Sequence, residues 1–71
     1  MKLEVKKYRD SVRNCLVKKY GVSEIIAEKI IQESYLYTSL LYYPNETIHD
    51  DIEMTADEVY NEYTHPQLLK M

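Results

Sequence analysis

Residues 23 to 43 run without glycine or proline and carry apolar side chains on more than one side of a helical wheel, which leaves few folds open to the chain. A helix apolar around most of its circumference has to lie between neighbours. Ser23 is a good N-cap for it, with Val22 and Ala27 spaced as a hydrophobic staple. Pro44 sets its end, because the residue before a proline is pushed out of helical geometry. The main face reads Ile26, Ile30, Tyr37 and Leu41, with the small residues Ala27 and Ser34 alongside. A second apolar group, Ile25, Leu36 and Leu40, sits on a different side. Only Glu24, Glu28, Gln32 and Ser39 form a clearly polar strip.

The flanking segments supply the neighbours. Val5, Tyr8, Val12, Cys15 and Leu16 share one face of a helix over residues 2 to 20, and Gly21 provides the left-handed residue that ends it. Thr55 and Glu58 read as a capping box, followed by Ala56, Val59, Tyr60 and Tyr63 at helical spacing. Between them, Thr47 and Asp50 resemble a second capping box inside the loop that starts at Pro44. Thr64 with Gln67, next to Pro66, reads as the start of a last turn carrying Leu68 and Leu69. The expectation is an all-α fold: one domain over residues 1 to 71, a three-helix bundle with helices at about 2–20, 23–43 and 55–64, and a short C-terminal helical extension.

Seventy-one residues lie near the size at which core burial barely offsets the conformational entropy lost on folding, so such a chain needs regular packing, cross-links, a metal or a second copy of itself. Cys15 is the lone cysteine and has no partner within the chain, which suits a reducing compartment. One cysteine and two histidines, His49 and His65, fall short of a zinc site. The charged N-terminal residues match neither a signal peptide nor a membrane span, so the expected location is cytoplasmic, with no membrane partner. Helix packing and self-association remain.

Charge is divided unevenly along the chain. Residues 1 to 20 hold seven basic and two acidic side chains; residues 21 to 71 hold two basic and ten acidic. Either the two parts complement each other, within the chain or across a dimer, or one surface is reserved for an oppositely charged partner. Lys2, Lys6, Arg9 and Arg13 recur at i, i+4, i+7 and i+11 and form a basic flank beside the apolar face of the first helix. The turn Tyr20-Gly21-Val22-Ser23 between two helices resembles that of helix-turn-helix DNA-binding domains. The resemblance implies that Ser23, Glu24, Ile25, Glu28 and Lys29 face the major groove. Val17 departs from the small residue which that family places four before the glycine, and two carboxylates at the groove oppose phosphate attraction. A nucleic-acid-binding regulator, using either the basic flank or a degenerate helix-turn-helix, is therefore the alternative reading.

For metal chemistry, Glu62-x-x-His65 with Glu58 one turn earlier matches half of a di-iron element, and His49-Asp50-Asp51 with Glu53 is an acidic loop. Neither amounts to a site. Cys15 lies in the apolar phase of its helix, the position of a small buried hydrophobe, although Lys19 one turn on would lower its pKa if both were exposed. One glycine is too few for phosphate-cradling or dinucleotide loops. The expectation is a chain with no catalytic residues, no cofactor and no bound metal. The tyrosines of the central helix carry the remaining signal, since tyrosine buries area while its hydroxyl tolerates a wet rim. The expected function is a non-enzymatic interaction or regulatory protein that binds a protein partner, itself included, through Ile25, Leu36, Leu40, Tyr35 and Tyr43 in a homodimer.

Overall fold

A computed structural model describes residues 3–65. These form five helices and, among the described residues, no strand: α1 Leu3–Tyr20, α2 Glu24–Gln32, α3 Tyr35–Tyr42, α4 Pro44–Thr47 and α5 Ile52–Thr64. The all-α expectation holds. Lys2 and the C-terminal turn with Pro66, Leu68 and Leu69 lie outside the described residues.

In α1, Val5, Tyr8, Val12 and Leu16 are buried, the face that the apolar spacing predicts. Gly21 stops the helix at φ +69°, its N–H bonding the Val17 carbonyl at 3.0 Å. An added Cβ would touch nothing within 4 Å, so the left-handed backbone alone favours glycine there. Ser23 caps α2 by accepting from the Ile26 N–H at 3.1 Å. Val22 and Ala27 both join the core, as a staple requires.

The central helix is not continuous. It breaks at Glu33 and Ser34, where ψ moves to 6° and then to 172°. The Ser34 hydroxyl donates to the Ile31 carbonyl at 2.8 Å and accepts from the Leu36 N–H at 3.1 Å, closing α2 and opening α3 with one side chain. This break resets the helical phase. Leu36 and Leu40 turn into the core at 0% and 8% exposure, whereas Tyr37 and Leu41, expected inside, face outward at 44% and 58%. Tyr43 leaves helical geometry before Pro44 as expected, and Pro44 then starts α4 at its first turn, where the missing N–H costs nothing.

Two caps differ from the sequence reading. Thr47 closes α4 instead of opening a helix, its hydroxyl donating to the Tyr43 carbonyl at 2.7 Å. Helix α5 begins a turn before Thr55, with Asp51 accepting from the Met54 N–H at 2.9 Å. A carboxylate there both caps the helix and complements its dipole. Thr55 is consequently inside the helix and buried, sharing a 2.8 Å hydrogen bond with the Tyr8 hydroxyl.

The core is a single cluster in which the α1 face meets Ala27, Ile30 and Ile31 of α2, Leu36 and Leu40 of α3, and Ala56 and Val59 of α5. Helix α1 packs chiefly on α5 and α2. No helix among the described residues is long and apolar enough to cross a membrane.

Candidate interaction surface

The expected partner-binding residues do not share a surface. Leu36 and Leu40 belong to the core, Ile25 stands alone on α2 at 81% exposure, and Tyr43 is the exposed C-cap of α3. Tyr35 is held to α5: its hydroxyl donates to Glu58 at 2.6 Å, and its N–H donates to both Glu62 oxygens at 3.1 and 3.2 Å. Burial, then the Glu58 carboxylate, pushes the Tyr35 pKa well above the ordinary phenol value. The break at Ser34 explains the scattering, because each turn of α3 is rotated from where an unbroken helix would place it.

What the break brings together instead is a surface on the outer side of α3. Tyr37 and Leu41, one turn apart, are exposed there, and Tyr42, further round the helix, and Tyr43, at its end, are exposed beside them. Tyr37, Leu40, Leu41 and Pro44 follow one another at helical spacing and, with Val5 and Arg9 of α1 and Ile31 of α2, line a pocket of about 380 Å³. From Ser34 to Asn45 the chain has no charged residue, in a sequence of which 30% is charged. That charge-free run marks the surface and is readable in the sequence. The outward turn of Tyr37 and Leu41 is not, since it depends on where the helix breaks.

The basic flank is engaged by the chain's own carboxylates. Arg9 reaches Glu28 at 2.8 Å, Arg13 reaches the other oxygen of Glu28 at 3.3 Å and Asp10 at 3.6 Å, and Lys6 meets Asp10 at 3.4 Å. Glu28, which the helix-turn-helix resemblance would direct at a DNA groove, is thus the bridge between α2 and α1. The Nε atoms of both arginines are buried without an acceptor among the described residues, so the guanidinium stems are packed in place and not arrayed toward solvent.

At the far end of α1, Lys19 pairs with Asp57 at 2.9 Å and Glu53 at 3.2 Å, and the Tyr20 hydroxyl donates to Asp57. The Tyr20 ring stacks on Tyr60 with centroids 3.8 Å apart. Hydrogen bonds to Asp57 and Glu53 raise the Lys19 pKa, and those from Tyr20 and Lys19 hold Asp57 below the usual carboxylate range. Through Arg9, Arg13 and Lys19, part of the uneven division of charge along the sequence is therefore complementarity between α1 and the elements packed on it.

The remaining candidate chemistry is likewise occupied. Glu58 and Glu62 serve Tyr35, Asp51 caps α5, Glu53 holds Lys19, and His65 Nδ1 lies 2.9 Å from the Thr64 hydroxyl. Among the described residues no three metal-ligating side chains stand together. Cys15 is partly buried against the core, and burial pushes its thiol pKa up, away from the thiolate that a nucleophile needs. No protein-family model matches the chain, and no curated protein or solved structure is found to be similar to it.

Proposed function

We propose that this chain is a cytoplasmic, non-enzymatic interaction protein, regulatory in its role, that self-associates through the outer face of α3. The observation that carries the reading is the coincidence of Tyr37, Leu41, Tyr42 and Tyr43, all exposed, with the charge-free run from Ser34 to Asn45. A two-fold interface buries the same patch of both copies, with the residues nearest the axis facing their own mates, so a charge there would meet like charge, whereas tyrosine and leucine meet without that penalty. Tyrosine is enriched among the residues that dominate interface energy. The pocket beside Leu41 and Tyr37 gives such a contact relief into which a side chain of the second copy fits.

Light scattering and sedimentation over a concentration series test the proposal. The expected result is a reversible dimer, with Leu41→Asp shifting it to monomer while the helical circular dichroism is kept and the melting temperature matches that of the parent chain at dilutions where the parent is itself monomeric. A monomer at every concentration would overturn self-association and leave the face to a different protein. A dimer indifferent to Leu41→Asp would overturn the choice of surface.

A further inference from the structure

We infer that the joint at Glu33 and Ser34 is a hinge, and that a second copy of this chain can supply α3–α5 to the α1–α2 half, giving an exchanged dimer in which α2 and α3 run as one helix. The exchange is independent of the outer face of α3 proposed above as a contact.

Three features carry it. The joint is two residues long and contains neither glycine nor proline, so nothing in its covalent structure opposes a continuous helix from Glu24 to Tyr42. The neighbouring joints differ: Gly21 sits at φ +69°, and Pro44 has no N–H to donate. Second, side chains hold much of the break together. Ser34 Oγ serves the Ile31 carbonyl and the Leu36 N–H, and the Tyr35 N–H has only the Glu62 carboxylate. A straightened helix would return the Tyr35 and Leu36 N–H groups to the carbonyls of Ile31 and Gln32.

Third, the core is divided at this joint. Leu36, Leu40, Ala56 and Val59 lie after it, and they pack on a larger set of residues that lies before it. Tyr8 with Thr55, Lys19 with Asp57 and Tyr20 with Tyr60 also cross from one half to the other. Exchange between two copies therefore reproduces every one of these contacts between chains. The association entropy opposes it, and the recovered helical bonds favour it.

The test combines Ser34→Ala, which removes both side-chain bonds at the joint and favours helix, with Leu41→Asp, which silences the outer face. A mixture of unlabelled and nitrogen-15-labelled chains is refolded together at high concentration and treated with a carbodiimide, which joins Lys19 to Asp57 or Glu53 without a spacer. The expected result is a slowly dissociating dimer whose Lys19–Asp57 cross-linked peptides include pairs of mixed isotope. Its association constant should exceed that of Leu41→Asp alone by roughly thirtyfold, the scale of losing one helix cap in each of the two chains. A monomer throughout, or a dimer whose cross-links are isotopically pure, overturns the hinge. If Ser34→Ala does not fold by circular dichroism, Glu62→Gln on the same Leu41→Asp background replaces it under the same two criteria. Loss of the reversible dimer in Leu41→Asp alone bears only on the outer face, so the two readings fail separately.

Discussion

The side of the molecule where α1 meets α5 and the outer side of α3 are made of opposite materials. On the first, Lys19, Asp57, Glu53, Tyr20 and Tyr60 join α1 to α5 through ion pairs, a hydroxyl bond and a ring stack, and Tyr8 reaches both Thr55 and the Asp50 carbonyl. On the second, the run from Ser34 to Asn45 carries no charge, large apolar side chains stand in water, and Arg9, the one charged group among the described residues lining the pocket, is paired with Glu28. The polar residues are concentrated where the chain closes on itself. The surface without them is the one proposed above as the contact between copies.

The largest effects should come from the closed side's apolar floor. Leu16→Ala, at a fully buried position, is expected to lower stability by about 2–5 kcal/mol, a large fraction of what a domain this small has. Leu41→Ala on the open side should stay within about 0.5 kcal/mol when both chains are measured dilute enough to be monomeric. Paired thermal and urea melts check the contrast. Equal losses at the two sites would abolish it.

Tyr8→Phe comes next. It leaves the Thr55 hydroxyl and the Asp50 carbonyl without their partner, for an expected loss of about 1–3 kcal/mol measured by urea titration. Burial raises the Tyr8 pKa above the ordinary phenol value. The stabilisation from the protonated hydroxyl is accordingly complete below about pH 10 and is lost as pH climbs through the raised value. The phenylalanine variant should therefore lose less stability in alkali than the parent chain.

Glu28→Gln is a smaller perturbation. It weakens the links from α2 to Arg9 and Arg13 at once, and partly exposed pairs of this kind contribute about 0.2–1 kcal/mol each. The parent chain should lose that increment in high salt, and the variant should show a flatter salt dependence. A variant as salt-sensitive as its parent would remove Glu28 from the account of the charge division.

The smallest effect at neutral pH belongs to Asp57→Asn. Because Tyr20 and Lys19 hold the Asp57 pKa below its ordinary range, its contribution is present above the usual carboxylate pKa of about 4 and is lost as pH falls through the lowered value. Acid unfolding followed by circular dichroism should begin less steeply in the asparagine variant.

Much of this fold was legible because α1, α2 and α5 obey local rules. Val5, Tyr8, Val12 and Leu16 keep one phase along an unbroken helix, and Gly21 and Ser23 end and begin helices through contacts within four residues. The α2–α3 segment was not legible in the same way. A helical wheel assumes continuous phase, and the group that helps Ser34 to interrupt it, Glu62, caps Tyr35 from 27 residues further along the chain. The same tertiary dependence hid Thr55, whose hydroxyl suits an N-cap but finds Tyr8 instead. At the candidate surface, the tyrosine cluster could be seen in the sequence. Which leucines accompany it depended on the break, so Leu36 and Leu40 were exchanged for Leu41.

The stack of Tyr20 on Tyr60, 3.8 Å apart and nearly parallel, has an optical consequence. The chain contains eight tyrosines, no tryptophan and no phenylalanine, so its near-ultraviolet spectrum comes from phenol rings alone. Two rings held face to face couple their transitions, and that coupling vanishes when they part. Since one ring ends α1 and the other sits on α5, the unlabelled protein carries its own reporter of whether those helices are together.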